Sequence, residues 1–160
     1  MTSGRKVDRD DPGVRAWSLL LRTQAVVLRH LERDLADRGR MPLGWYDVLL
    51  ELNAAPDRRL RMQELGERAV LSRSRVSRIV DELERAGLAR REPDPVDRRG
   101  AHAVVTEAGR DALRAAAPVY LEGIQEHFAR HLQPAELAAL RDGLARVLAA
   151  QTDGTRPPGR

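Results

Sequence analysis

Serine and arginine alternate through residues 72–78 (SRSRVSR), and both side chains suit the binding of a polyanion. The same stretch has apolar residues at helical spacing, which predict a helix with one buried face: Val76, Ile79, Val80 and Leu83. The hydroxyl of Ser72 is placed to cap this helix by accepting a backbone N–H. A helix N-terminus attracts phosphate, and arginine can pair two donors with a guanine edge. The candidate DNA-contacting residues of this helix are Ser72, Arg73, Ser74, Arg75, Ser77 and Arg78.

A shorter apolar stripe precedes this helix. Met62, Leu65 and Ala69 predict a first helix, and residues 70–71 form a tight link between the two. Two short helices joined by a tight turn predict a helix-turn-helix, whose second helix enters the major groove of DNA. Because the outward face of that second helix carries serine and arginine, the groove is its expected ligand.

A hairpin with an arginine-rich tip follows the second helix. Gly87 can adopt the left-handed backbone that ends a helix, and strands are expected at Leu88–Arg91 and Ala101–Val105. The run between the strands, EPDPVDRRG, has the prolines and glycine that are typical of a turn. Guanidinium groups on such a tip can enter a minor groove, so Arg98 and Arg99 are candidates for DNA contact.

Some of these assignments have alternatives. Arg78 can instead pair with Asp47 or Asp81 and hold the winged segment against its neighbour. Ser72 can be a helix cap alone, and Arg98 can contact the DNA backbone or simply face water. Arginine is also the dominant cation throughout the chain, so ordinary surface charge is the competing interpretation.

The run SRSRVSRIVDELERAGLARREPDPVDRRGAHAVVTEAG resembles the MarR family of transcriptional regulators. The family's wing signature, aspartate followed by any residue and arginine, matches Asp97 and Arg99. Its strand-to-helix junction LTxxG corresponds to Val105–Gly109 (VTEAG), and the likeness extends over about residues 12–150. Asp97 is expected to orient Arg99 or to stiffen the turn, because phosphate repels a bare carboxylate.

The resemblance implies a homodimer whose terminal helices form the dimer body and whose winged domains enter successive major grooves. It assigns residues 11–38 and 107–151 to the helical dimerisation region and residues 43–106 to the winged helix-turn-helix. The ends, 1–10 and 152–160, are polar or rich in Gly and Pro and are expected to be mobile. The predicted fold class is therefore mainly α with a small β-wing (α+β).

Helical patterns outside the winged segment agree with this fold. Apolar residues step by threes and fours from Val14 to Leu35, and this stripe must bury against the chain's own core or a second subunit. Further helices are predicted at Trp45–Leu52 and from Thr106 to about Leu132, the latter bent or broken at Pro118. The loop at residues 53–60 can pair briefly with the wing.

Composition narrows the function classes. The net charge is only +4, and the absence of cysteine excludes a disulfide framework, a cysteine zinc site and a thiol switch. No apolar run approaches membrane-spanning length and the N-terminus is charged, so a cytoplasmic location without a membrane partner is expected. The sequence lacks a phosphate loop, a Gly-x-Ser-x-Gly elbow and a His-Glu-x-x-His motif, so neither an enzyme nor a cofactor is expected.

Two small-ligand hypotheses stay open at this point. His127 and His131 are four residues apart, a spacing that can chelate zinc on a helix, although such histidines are more often surface or interface residues. The resemblance also implies a small phenolic or amphipathic effector bound between the dimer body and the winged domain. Trp17, Trp45 and Tyr46 lie in segments that would line such a cleft, and the alternative is that they fill the core or an interface.

The residues and the resemblance together predict a homodimeric, sequence-specific transcriptional regulator of double-stranded DNA, more often a repressor than an activator. One recognition helix gives little specific affinity, whereas two can span half-sites about 34 Å apart in an inverted repeat. The competing interpretation is a winged helix that serves as an architectural or protein-binding module.

Overall fold

The computed structural model describes residues 10–94 and 100–153. The described elements, in chain order, are α1 Pro12–Asp37, α2 Leu43–Ala54, a 3-10 turn Pro56–Arg58, β1 Arg59–Arg61, α3 Met62–Arg68, α4 Arg73–Arg85, β2 Ala89–Pro93, β3 Ala101–Val105, α5 Glu107–His127, a second 3-10 turn Ala129–His131, and α6 Pro134–Asp153. The predicted fold class, mainly α-helical with a small β-wing, is confirmed.

Several predictions concern residues outside the described ranges. Asp97, Arg98 and Arg99 all belong to the segment 95–99, and nearly all of the two predicted tails is likewise outside. Those assignments stay predictions. At the C-terminal end, α6 continues to Asp153, past the boundary predicted at residue 151.

The helix-turn-helix forms where the sequence predicts it. Leu65 of α3 is fully buried, and α4 buries the expected apolar face while the hydroxyl of Ser72 accepts the backbone N–H of Arg75 at 3.3 Å. The link between the helices is tightened by a hydrogen bond from the Leu71 N–H to the Gly66 carbonyl at 2.8 Å. This turn requires a left-handed backbone at Val70, whose φ is +54°.

Val70 is destabilising at this position, because a left-handed backbone brings a branched Cβ close to the neighbouring carbonyl. Its side chain is 89% exposed, so hydrophobic burial contributes almost no compensating stability. We expect Val70→Gly to raise the free energy of unfolding by about 1 kcal/mol, since the relief of strain exceeds the added entropy of the unfolded chain. Urea denaturation measures the difference, and a loss of stability would contradict the argument.

The wing is a three-stranded antiparallel sheet in the order β1-β3-β2. Its short outer strand comes from the loop that was predicted to pair with the wing, and Leu60 lies opposite Ala103. The first hairpin strand begins at Ala89 and not at the predicted Leu88. The reason is that the Leu88 N–H bonds the Leu83 carbonyl at 2.9 Å and, with Gly87 at a φ of +73°, completes the end of α4.

One hydrophobic core joins the winged segment to the long helices. Its most buried members come from α2, α3, α4, β3 and α5, and they include Leu49, Leu52, Leu65, Val80, Leu83, Ala103 and Ala116. From α1, the buried residues of this core are Leu31 and Leu35, both near the C-terminal end of the helix. The predicted apolar stripe of α1 is therefore only partly buried within one protomer.

The long helix α5 differs from its prediction at its end. It continues through Pro118, but it stops at His127 and not near Leu132. Phe128 leaves the helical conformation with φ −136° and ψ −65°, and the 3-10 turn follows.

Candidate DNA interface

The N-terminal half of α4 presents the predicted serine and arginine face. Arg73, Ser74, Arg75 and Arg78 are exposed, whereas Val76 points into the core at 1% exposure. Among residues 10–94 and 100–153, no carboxylate lies within ion-pair distance of these arginines. Their charge is therefore available to a ligand, beside the free N–H groups of the helix end.

The alternative pairing of Arg78 is not found. Asp81 pairs with Arg91 of β2 instead, and Asp47 has Arg75 as its favourable cationic neighbour. Ser77, also a candidate DNA contact, is half-buried: its carbonyl and hydroxyl oxygens lie 3.1 and 3.3 Å from Nη2 of Arg91. Among the residues predicted to contact DNA, Ser77 therefore faces the wing.

Helix α2 holds the recognition helix α4 in place. The indole N–H of Trp45 donates to the Glu82 carboxylate at 2.9 Å. The helices also approach closely at Gly44, where an added Cβ would lie 3.2 Å from Cδ1 of Ile79. At the same end of α2, the Glu32 carboxylate of α1 accepts the first N–H of the helix, from Leu43, at 3.0 Å.

Asp47 lies on α2 two residues after Trp45, and its carboxyl group has an unusual pKa. Burial, and to a lesser extent the negative charges of Glu32 and Glu51, raise the pKa of this group from 3.8 to about 6, against the opposing effect of Arg75. Ionisation of Asp47 is consequently disfavoured in the folded protein. A raised carboxyl pKa means that stability falls as the pH rises from about 4 to about 6, where the folded state holds the extra proton.

We expect Asp47→Asn to stabilise the protein by about 1 kcal/mol at pH 7.5, because the amide removes the partly solvated charge. The gain should disappear at about pH 4, where the wild-type carboxyl group is also neutral. Urea denaturation at the two pH values measures this. Asp142→Asn, at an exposed carboxylate of α6, is the control and should give no comparable gain. An equal effect of Asp47→Asn at both pH values would contradict the assignment.

The base of the wing is held by a buried carboxylate. Asp94 is 4% exposed and pairs with Nε of Arg61 at 2.8 Å, while its N–H donates to the Gly100 carbonyl at 3.1 Å. Nδ1 of His102 lies 4.0 Å from the same carboxylate. These contacts close the hairpin below the segment that carries Arg99.

Sequence analysis missed both Asp94 and Arg91. The alternation of side chains along a strand could have indicated that Arg91 faces inward, since Ala89 is buried and Arg91 lies on the same side of β2. The partners of these residues depend on the angle between hairpin and helix, which local patterns do not contain.

The three aromatic candidates for a ligand pocket are not brought together. Tyr46 is buried and packs against Tyr120 with ring centroids 4.4 Å apart, whereas Trp17 on α1 is 60% exposed. Two clefts in the described part of the chain, of about 980 and 630 Å³, are lined by other residues. Within one protomer, core packing and the bond to Glu82 occupy Tyr46 and Trp45, and the assignment of the three aromatic residues to a ligand pocket stays a prediction.

The two histidines also do not share a helix face. His131 belongs to the 3-10 turn after α5, and its Nε2 lies 3.1 Å from the carbonyl oxygen of Glu126. His127 contacts Asp34 at 2.7 Å and stacks on His30 with centroids 4.6 Å apart. Across residues 10–94 and 100–153, no group of three or more His, Cys, Asp or Glu residues is arranged to hold a metal ion.

Known proteins are similar to this chain in architecture and sequence. The family model of the MarR family matches residues 41–100. The crystal structure of AbsC, a MarR family transcriptional regulator from Streptomyces coelicolor, is 32% identical in sequence and superposes with a TM-score of 0.77, covering 95% of this chain and 100% of that chain. The chain belongs to the MarR family of transcriptional regulators.

Two further similarities support this MarR family membership. Sco3205, another MarR family regulator from Streptomyces coelicolor and solved in complex with DNA, is 30% identical with a TM-score of 0.76, covering 98% of this chain and 95% of that chain. The uncharacterized HTH-type transcriptional regulator YkoM of Bacillus subtilis (strain 168) is 30% identical over 102 residues, and the match spans 64% of its length and 64% of this chain. In the described part of this chain, every helix is too short or too polar to cross a bilayer.

Proposed function

We propose that this MarR family chain binds a specific double-stranded DNA operator and represses transcription there. The observation that carries the proposal is the exposed N-terminal turn of α4, where Arg73 and Arg75 flank Ser74 on a capped helix. Their guanidinium groups can pair with guanine edges or phosphates, and the helix end adds N–H donors. The similarity to Sco3205, which was solved in complex with DNA, supports this use of the fold.

We propose that the binding unit is a homodimer. Large apolar side chains stay exposed on α1 and α6, among them Trp17, Leu21, Val147 and Leu148, the last at 69% exposure. Exposed apolar side chains on two terminal helices are a surface that a second copy would cover. Two recognition helices about 34 Å apart would then fit the half-sites of an inverted repeat.

In this proposal the wing extends the contact into the adjacent minor groove. Arg98 and Arg99 would enter that groove, whose negative potential attracts guanidinium groups, and Asp97 would orient Arg99. The support is the buried Asp94 at the wing base, which pairs with Arg61 of β1 and whose N–H donates to the Gly100 carbonyl.

We further propose that a small amphipathic or phenolic ligand releases the operator. The cleft of about 980 Å³ between α1 and α5 combines apolar Val119 and Ile124 with charged Arg38 and Glu122, a lining that suits such a molecule. A ligand that raises the melting temperature and weakens operator binding in the same concentration range would support this. If ligands that stabilise the protein leave DNA binding unchanged, regulation by this route is refuted.

The function is tested by selecting genomic DNA fragments with the purified protein at near-physiological salt and sequencing them. We expect enrichment of a short inverted repeat with half-site centres about 34 Å apart. Uniform retention of fragments would instead indicate an architectural protein. The absence of retention would indicate a winged helix that binds other proteins.

A further inference from the structure

The side chain of Arg91 joins the wing to the recognition helix α4. Its Nη1 forms ion pairs with the carboxylates of Asp81 and Glu84, and its Nη2 donates to the Ser77 carbonyl at 3.1 Å. The backbone N–H of Arg91 also donates to the Glu84 carboxylate, at 2.6 Å. A single arginine of β2 therefore contacts α4 over successive turns.

The contacted residues form one stripe along α4. Ser77, Asp81 and Glu84 are spaced by four and three residues, which places them on a common helix face. Arg73 lies one turn before Ser77 on this stripe, and with Ser77 and Arg91 it lines the cleft of about 630 Å³ between α3, α4 and the wing. The rotation of α4 about its axis, which directs Arg73, is thereby coupled to the position of the wing.

We propose that Arg91 is a positioning residue for DNA recognition. It sets the rotation of α4 relative to the wing, so that the major-groove and minor-groove contacts fit one operator together. The inference rests on the proposed function, because it concerns discrimination between operator and other DNA. Arg91 acts through α4, since both terminal nitrogens of its guanidinium group already contact Ser77, Asp81 or Glu84 within the protomer.

The shape of the guanidinium group matters here as well as its charge. Its rigid plane bridges two carboxylates and a carbonyl at once, whereas a lysine ammonium is a single flexible point charge. Asp81 and Glu84 also lie on the helix that approaches DNA, where an uncompensated carboxylate would repel phosphate. Lysine at this position keeps the compensation but loses the planar bridge, so Arg91→Lys separates geometry from charge.

The test compares Arg91→Lys with Arg90→Lys. Arg90 is the neighbouring residue of β2, and it pairs with Glu92 within the strand at 2.7 Å, without a contact to α4 among the described residues. Affinities for the selected operator and for a scrambled duplex are measured over a range of salt. We expect Arg91→Lys to lower the ratio of the two affinities about tenfold while the salt dependence stays at the wild-type value. Arg90→Lys should leave both unchanged.

Hydrogen exchange in the absence of DNA provides a second readout that does not need an operator. Arg91→Lys should speed exchange of the amides in 89–93 and 101–105 more than Arg90→Lys does, while cooperative unfolding is retained. If the ratio of affinities stays at the wild-type value, the role of Arg91 is overturned and the proposed function stands. A wild-type protein without operator preference would overturn the proposed function, and this inference with it.

Discussion

Replacing Gly109 with alanine should destabilise the folded protein by about 3 kcal/mol or more. Gly109 lies in the first turn of α5, and an added Cβ would stand 2.0 Å from the carbonyl oxygen of Leu88. That oxygen cannot move away freely, because it accepts the Thr106 N–H at 3.1 Å. The Thr106 hydroxyl in turn donates to the Gly87 carbonyl at 2.7 Å. A side chain at residue 109 would push α5 off the end of the recognition helix.

Urea denaturation of the variant and the wild type measures this loss. Gly143→Ala is the matched control, because the position is inside α6 and the nearest atom to an added Cβ is a guanidinium nitrogen of Arg146 at 3.9 Å. There the higher helix propensity of alanine should raise stability by about 0.5–1 kcal/mol. A Gly109→Ala protein as stable as the wild type would refute the close approach of α5 to Leu88.

Arg73→Ala should weaken operator binding by about 1–3 kcal/mol and random duplex binding by less. Arg73 is exposed at the capped start of α4, where an arginine can reach a base edge. Fluorescence anisotropy with the selected operator and a scrambled duplex measures both affinities. An equal loss on the two duplexes would make Arg73 a phosphate contact.

Arg114→Ala is the control for the loss of one positive charge. This arginine is exposed on α5 and pairs with Asp111, away from the N-terminal turn of α4. It should change both affinities little, since exposed charges at a distance are screened by salt. If Arg73→Ala and Arg114→Ala gave the same result, the α4 face would have no special part in binding.

Local signals in the sequence were sufficient for the recognition helix. The Ser72 cap and the burial of Val76 and Val80 both follow from short-range chemistry, and the structure confirms them. The importance of Gly109 was not predictable in the same way. It depends on the approach of α5 to Leu88, which is distant in sequence and set by the packing of the whole domain.

The apolar stripe of α1 shows a different limit of sequence patterns. Spacing predicts that Trp17 and Leu21 are buried, but it does not distinguish the chain's own core from a second subunit. Within the protomer only the C-terminal part of the stripe, at Leu31 and Leu35, is buried among the described residues. The predicted helix ran on to about Leu132 because no glycine or proline marks the end of α5 at His127, and for that reason His127 and His131 were expected to share a helix face.

The most direct test of the account is the affinity of the wild-type protein for its selected operator relative to a scrambled duplex of the same length, at near-physiological salt. The exposed serine and arginine face of α4 predicts a ratio of about a thousandfold or more. Equal affinities for the two duplexes would contradict sequence-specific recognition by this helix.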